Sequence, residues 1–187
     1  MSPTDAQLLA AAKLERSMTP PLTGAFESIL FRYEKLIHYI ARRYFDNNED
    51  TLDASQEAAL KIYNGLTRVE IPEDGSLKPW ICTVIARTCL DAIRKNRIKT
   101  VELTEEAIQS TIPSAEETVI INERAKEILN AIKKLPDEYR MIIILRDMQG
   151  LSYDEMAKIL KLNIGTVKSR LSRARANLKK LLKQREG

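Results

Sequence analysis

The chain has 187 residues, of which 44% are hydrophobic, so it is long enough for one compact domain or two small ones. Its net charge is only +4, but residues 101–122 hold five glutamates and no Lys or Arg, whereas residues 165–187 hold eight basic residues and one acidic residue. This asymmetry is typical of a nucleic-acid-binding end joined to an acidic connector. No apolar run reaches transmembrane length, and residues 1–16 lack a signal-peptide pattern. We therefore expect a cytoplasmic protein without membrane insertion.

Residues that usually carry catalytic or metal chemistry are scarce. His38 is the only histidine, and neither a CxxC spacing nor a glycine-rich phosphate loop occurs. Cys82 and Cys89 lie two turns apart on one predicted helix, too far apart to form a disulfide bond within it, so we predict two core thiols. We expect no enzyme activity, no metal and no cofactor.

The chain begins with a pattern of separate amphipathic helices. We predict a short helix over residues 5–16, a break at the prolines and glycine of residues 17–24, and a long helix from Phe26 to Tyr44. Asp46-Asn47-Asn48 marks the end of that helix. The aromatic residues of the long helix follow its apolar stripe, which predicts that they are core.

The next helix is predicted from about Asp53 to Leu66, with one leucine outside its buried stripe. Leu60 lies among polar residues on the opposite face, namely Asp53, Gln56, Glu57 and Asn64. A single exposed leucine usually has no special meaning. An apolar centre with a polar rim is also how a partner-binding surface is built. The pattern alone leaves both interpretations open.

A third helix is predicted after the loop of residues 67–78, starting at Pro79 and continuing through Trp80 to about Arg97. Its outer face carries charged residues, which are Arg87, Asp91, Arg94 and Arg97. Helical ion pairs on a solvated face would explain Asp91. The basic excess over residues 94–97 favours a phosphate contact. Trp80 could pack beneath its neighbours or act as a wedge in DNA.

The pattern weakens over residues 100–122, which are acidic and contain Pro113, so we predict an interdomain linker. A helix over residues 125–135 and another that begins at Pro136 and leads to Gly150 are expected to support the C-terminal part of the chain.

Residues 150–182 predict a helix-turn-helix. Ser152 and Glu155 have the spacing of a capping box, Lys161-Leu162 forms the turn, and Asn163 can cap the second helix. That helix has an apolar stripe with Arg170 and Arg175 at its two sides, and an opposite face of small residues bordered by Lys and Arg. Short central residues with nearby basic side chains suit the DNA major groove. The alternative is a basic, solvated outer helix of a bundle.

Several motifs then occur in the order typical of one family. The second half reads LPDEYR at residues 135–140, GLSYDEMA at 150–157, GTVKSRL at 165–171 and RAR at 173–175. The first half reads DASQE at 53–57 and, on the third helix, Trp80-Ile81, Ile85-Ala86-Arg87, Asp91 and Arg94. Over about residues 26–182 the chain resembles the extracytoplasmic-function sigma factors. Leu77 and Thr88 depart from that family's usual aromatic and asparagine.

The resemblance implies an all-α fold of two small helical domains: an N-terminal domain over residues 1–99, the acidic linker over 100–122, and a C-terminal helix-turn-helix domain over 123–187. It implies a bacterial transcription initiation factor that binds core RNA polymerase, directs it to promoter DNA and opens the duplex. An anti-sigma factor is an expected further partner.

The resemblance also implies a role for each face. The polymerase-binding residues would be Asp53, Gln56, Glu57, Leu60 and Asn64. The minus-ten element would be read by Trp80, Arg87, Asp91, Arg94 and Arg97, and the loop before them would hold a flipped base. The minus-thirty-five element would be read by Thr166, Lys168, Ser169, Ser172 and Arg173.

Two other functions remain open at this point. A helix-turn-helix regulator that never joins polymerase would account for the chain only from Leu135 onward. A small recombinase or transposase would need a strand-rich catalytic half, whereas the first half here reads as helical.

Overall fold

The computed structural model describes residues 2–19, 22–71, 75–102 and 123–183, and within these ranges the side chains except those of 96–102 and 123–124. The described chain forms eight α-helices: α1 Asp5–Ser17, α2 Gly24–Ala41, α3 Asn48–Gly65, α4 Lys78–Glu102, α5 Glu123–Lys133, α6 Asp137–Ile143, α7 Tyr153–Leu160 and α8 Ile164–Lys183. Short turns of 3-10 helix at Leu66–Arg68 and of π-helix at Ile144–Met148 complete them. No strand occurs within these ranges, and the predicted all-α fold is confirmed.

The first four helices pack around α2, which contacts α1, α3 and α4. The large side chains that are fully buried among them are Ile29, Ile40, Ile62, Leu77, Ile81 and Ile85. Each contributes about 1.5–3 kcal/mol by leaving water. Cys82 and Cys89 are buried free thiols in this core, and burial raises the pKa of each to about 12. The prediction of core thiols is therefore confirmed.

Several helix boundaries differ from the sequence prediction. Helix α2 ends at Ala41 rather than Tyr44, and α5 spans Glu123–Lys133 rather than residues 125–135. Helix α3 begins at Asn48 rather than near Asp53, because the Asn47 side chain caps it by accepting a hydrogen bond of 2.7 Å from the Asp50 amide. Asn47 therefore starts this helix, whereas the sequence pattern assigns it to the end of the previous one. Helix α4 runs to Glu102 rather than about Arg97. Residues 103–122, most of the predicted linker, lie outside the described residues, so the linker stays a prediction.

The second half forms a compact group in which α8 packs against α5, α6 and α7. The π-helical turn after α6 ends near Gly150, which has a φ of 74° and redirects the chain towards α7. Glycine adopts this left-handed conformation without the steric cost that other residues carry. The fully buried side chains here include Ile142, Ile144, Leu145 and Met156.

The two halves also pack on each other, chiefly through α4 on one side and α6, the π-helical turn and α7 on the other. The Arg140 guanidinium lies 5.6 Å from the centre of the Tyr44 ring, and the Lys133 ammonium donates a hydrogen bond of 3.0 Å to the Phe45 carbonyl. The sequence predicts two helical domains joined by a linker, but it does not predict this contact between them. Amphipathic patterns predict which face of a helix is buried, but they do not reveal which partner covers a polar face.

In the described part of the chain, no helix is both long and apolar enough to cross a membrane. The same residues contain no group of three His, Cys, Asp or Glu side chains placed to hold a metal ion.

Candidate functional site

The outward face of α3 carries the leucine that stands apart from the buried stripe in the sequence. Leu60 is 64% exposed. The polar residues predicted to surround it are exposed as well, namely Asp53, Gln56, Glu57 and Asn64. Ala54, Ala58 and Ile62 are buried on the opposite side of the helix, which turns this face to solvent. The predicted apolar centre with a polar rim therefore exists on the surface.

An apolar groove lies beside Leu60, between α2 and α3. It has a volume of about 610 Å³ and is lined by Thr23, Phe26, Glu27, Leu30, Gln56, Ala59, Leu60 and Tyr63. Phe26 meets Tyr63 edge to face, with ring centroids 4.9 Å apart. The sequence pattern assigns the aromatic Phe26 to the core, but Phe26 and its neighbour in the groove, Leu30, are only half-buried.

Trp80 lies at the start of α4 and packs on the end of α3. A Cβ atom on Gly65 would lie 2.7 Å from the Trp80 ring, so only glycine allows this close approach. The ring is half-buried against the core of the first domain. Leu77 and Thr88 are also buried, and the Thr88 hydroxyl donates 2.9 Å to the Val84 carbonyl. The two positions that depart from the family pattern thus face the core.

The charged face of α4 meets the second domain. Arg87 donates a hydrogen bond of 3.2 Å to the Ile159 carbonyl at the end of α7, and Arg94 forms an ion pair of 3.1 Å with Asp137. Lys78, in the first turn of α4, donates 3.0 Å to the Gln149 carbonyl. Asp91 is exposed and lies 3.9 Å from Lys61 and 4.0 Å from Arg94.

These contacts connect helix α4 to three parts of the second domain. The sequence identified Arg87 and Arg94 as exposed cations and anticipated the helical pair between Arg94 and Asp91, but it missed the partners of both arginines in the second domain. The Arg97 side chain lies outside the described side chains, so its predicted DNA contact remains a prediction.

The helix-turn-helix forms as predicted. Ser152 and Glu155 complete the capping box, with hydrogen bonds of 2.7 Å from the Ser152 amide and 3.1 Å from the Glu155 amide. Lys161 adopts the left-handed conformation at the turn, with a φ of 56°. Asn163 caps α8 by accepting 2.7 Å from the Thr166 amide. Each cap satisfies backbone amides that would otherwise lack partners, at a gain of about 1 kcal/mol.

Helix α8 presents a small-sided outer face. Val167, Leu171 and Ala174 are buried against the rest of the domain. The exposed residues on the other side are Gly165, Lys168, Ser169, Ser172, Arg173 and Ala176, with Thr166 half-exposed beside them. Every residue predicted for the minus-thirty-five element therefore lies on or beside the accessible face.

The basic residues of α8 divide into two groups. Arg170 pairs with Glu138 at 3.3 Å, and Arg175 makes two hydrogen bonds to Asp147, one of them 3.0 Å long. These two residues, which flank the apolar stripe, hold α8 to α6 and the π-helical turn. Lys168 lies 5.7 Å from the Tyr153 ring centre, while Arg173, Lys180 and Lys183 are exposed. The flanking positions could have indicated the internal pairs, because side chains there reach the neighbouring helix.

Two family models match the chain in order. The model of sigma-70 region 2 matches residues 30–98, and the model of sigma-70 region 4 matches residues 125–178. The first match covers α3 with Leu60 and most of α4. The second covers the helix-turn-helix.

Similar proteins carry related names. The chain is 32% identical over 158 residues to the ECF RNA polymerase sigma factor SigM of Mycobacterium tuberculosis, covering 84% of this chain and 77% of that protein. It is 29% identical over 171 residues to the ECF RNA polymerase sigma factor SigW of Bacillus subtilis, covering 85% and 89%. The fold resembles that of the sigma factor RpoE of Bartonella quintana, solved in complex with the anti-sigma factor NepR. That comparison has a TM-score of 0.63 at 24% identity and covers 84% of this chain and 96% of that one.

Proposed function

We propose which surfaces of this chain bind core polymerase and which bind promoter DNA. The chain belongs to the extracytoplasmic-function sigma factors of RNA polymerase. It is an initiation factor that binds core polymerase and directs it to promoters, and it is not an enzyme. A regulator that acts without polymerase does not account for the region 2 match over residues 30–98.

The outward face of α3 is the polymerase-binding surface in this proposal. Leu60 forms its apolar centre, and Asp53, Gln56, Glu57 and Asn64 form its rim. The groove between α2 and α3 extends the apolar area, because Phe26 and Leu30 lie on the far wall from Leu60. An apolar core inside a polar rim is the usual anatomy of a protein interface.

Two helices would bind the promoter. Helix α4 and the loop before it would read the minus-ten element through Trp80, Arg87, Asp91, Arg94 and Arg97. Helix α8 would read the minus-thirty-five element through Thr166, Lys168, Ser169, Ser172 and Arg173. The domain limits that go with this division are residues 1–99 and 123–187, with the linker between them.

An anti-sigma factor is part of the proposal, because the RpoE structure that shares this fold contains one. We also place the protein in the cytoplasm, where core polymerase and promoter DNA are found.

The exposure of Leu60 within a polar rim is the observation that supports the proposed polymerase interface. The substitution Leu60→Glu tests this interface. An exposed position changes stability by less than about 0.5 kcal/mol, so the variant should fold. At an interface centre, the buried unpaired charge should weaken binding to core polymerase by about 2 kcal/mol or more. Co-purification with core polymerase measures this loss, and thermal melting checks the fold.

Leu14→Glu is the matched control, because Leu14 on α1 is 63% exposed and lies outside the proposed interface. It should leave polymerase binding unchanged. A folded Leu60→Glu protein that still binds core polymerase would remove the proposed interface, as would an equal loss in both variants.

A further inference from the structure

Helix α1 lies outside both family-model matches, which start at residues 30 and 125. It packs along α2 and contacts the 3-10 turn that follows α3. Its polar side chains reach both ends of the connection between α3 and α4. This arrangement links the helix to the entrance of the proposed minus-ten site.

Asp5 makes the contact at the second end of that connection. Its carboxylate accepts hydrogen bonds from the Leu77 amide at 2.7 Å and the Ser76 hydroxyl at 3.1 Å, directly before α4. It also accepts from Arg32 at 2.6 Å and from the Tyr33 hydroxyl, both on α2. The side chain is 7% exposed. One carboxylate therefore joins the start of α1, the middle of α2 and the beginning of α4.

The carboxylate is held in its ionised form. Burial raises the pKa of Asp5, but the hydrogen bonds from Tyr33, the Leu77 amide and Arg32 together lower the pKa by more than burial raises it. The pKa of Asp5 therefore lies below its ordinary value. Burial and the bond to Asp5 raise the pKa of Tyr33 to about 12, so this hydroxyl remains a donor at neutral pH. A buried charge is tolerated only when it is hydrogen-bonded in this way.

Two further residues of α1 reach the first end of the connection. Lys13 donates a hydrogen bond to the Val69 carbonyl, just after the 3-10 turn. Arg16 donates to the Tyr63 carbonyl and, at 3.3 Å, to the Asn64 side chain, and its guanidinium lies 4.5 Å from the Tyr63 ring centre. Helix α1 thus holds the last turn of α3 as well as the two residues directly before α4.

We propose that Asp5 is a positioning residue for promoter recognition: by holding Ser76 and Leu77, it fixes the entrance of α4 in the orientation in which the minus-ten element is read. This inference rests on the proposed function of α4. Backbone that is already held in its binding orientation, as Ser76 and Leu77 are, loses less conformational entropy when DNA binds. Asp5 acts through the backbone it holds and does not itself touch the DNA.

The test uses the full chain with core polymerase and a promoter library randomised in the minus-ten element. Asp5→Asn keeps the size of the side chain but removes the charge that receives the Leu77 and Ser76 bonds. Open-complex formation should fall about tenfold, the effect of weakening a hydrogen bond to a charged group. The base preference across the minus-ten element should flatten, while binding to core polymerase and to minus-thirty-five duplex stays the same.

Arg32→Gln is the matched control, because it removes an Asp5 partner on α2 and leaves those at Ser76 and Leu77. It should lower the melting temperature without changing the base preference. If Asp5→Asn unfolds the domain, Ser76→Ala tests the same end of the connection and should flatten the preference in part.

Two results would overturn the proposal. One is an unchanged preference in folded Asp5→Asn or Ser76→Ala, and the other is an equal change in Arg32→Gln. Failure of the proposed function would look different, because the unmodified chain would then start no transcripts from the library.

Discussion

Helices α4 and α8 are both long and basic, yet their cations have different surroundings. The outer face of α8 is open, and Lys168 and Arg173 stand beside its small residues. On α4, Arg87 and Arg94 reach Ile159 and Asp137 of the second domain. The difference teaches that a basic stripe on the outer face of a predicted helix does not show whether its side chains are free to contact DNA. Tertiary neighbours decide that.

The comparison gives the two proposed DNA-binding faces different requirements. In the proposed function, helix α8 would read duplex DNA in the arrangement described, because its own domain forms ion pairs only with the arginines at the edges of its apolar stripe. Helix α4 would use Arg87 and Arg94 on DNA only after they leave the second domain. We therefore expect poor minus-ten binding by the free chain, with core polymerase favouring the separated arrangement.

The largest effect on the open face should come from Arg173→Ala and Lys168→Ala. Both side chains lie beside the small-sided strip that would enter the major groove, so each loss should cost about 1–3 kcal/mol and relax sequence preference. Lys180→Ala and Lys183→Ala, near the end of α8, should contact only phosphates and weaken all sequences alike. Binding to a library of upstream elements at fixed salt measures the difference. Equal flattening by all four substitutions would show that the assumed orientation of α8 is wrong.

The helix-turn-helix could be predicted from sequence because its signals are local. Ser152 and Glu155, and Asn163 with Thr166, are three residues apart, so the chain itself brings each pair together. The face around Leu60 was also predictable, since helical periodicity alone separates it from Ala58 and Ile62. In contrast, the pairing of Arg94 with Asp137 joins residues that are 43 positions apart. No local pattern encodes such a contact.

The missed start of α3 has a different cause. Asn47 fits both the end of one helix and the cap of the next, and the choice depends on which amide its side chain meets. The groove beside Leu60 was missed because it needs two helices at a particular distance. Periodicity assigns Phe26 to the apolar side of α2, but it does not say how far α3 covers it.

A smaller effect is expected from opening the covered face with Asp137→Lys. The ion pair with Arg94 becomes a repulsion. Asp137 is 17% exposed, but Arg94 is 57% exposed, so solvent around the guanidinium limits the change to about 1 kcal/mol. If the open arrangement is the one that binds, affinity for single-stranded minus-ten DNA should rise by up to about fivefold. A titration of the free full-length chain with a labelled oligonucleotide measures this.

Asp154→Lys is the control for Asp137→Lys. Asp154 lies in the first turn of α7, as Asp137 lies in the first turn of α6, so both variants make the same change of net charge near a helix N-terminus. Asp154 is exposed, whereas the Asp137 side chain is 17% exposed, so thermal melting of both variants checks that the fold is kept. Added positive charge alone strengthens binding to any nucleic acid. Only Asp137→Lys should raise the preference for the minus-ten sequence over a scrambled one. An equal rise in both variants would contradict the covered-face interpretation.

The smallest effect should come from Arg175→Ala, which tests whether the two groups of cations on α8 are truly different. Arg175 lies two positions from Arg173 but is bound to Asp147. The Arg175 side chain is 52% exposed and the Asp147 side chain is 33% exposed. Exposed ion pairs contribute about 0.2–1 kcal/mol to stability, so the melting temperature should fall slightly. DNA affinity should drop only by the general loss of one positive charge, with the sequence preference of the library unchanged. Comparing Arg175→Ala with Arg173→Ala in the same titration removes residue type and net charge as explanations.

Arg175→Ala could instead relax the sequence preference as strongly as Arg173→Ala. Arg175 would then leave Asp147 to reach DNA, and its ion pair with Asp147 would not distinguish it from the cations proposed to bind DNA.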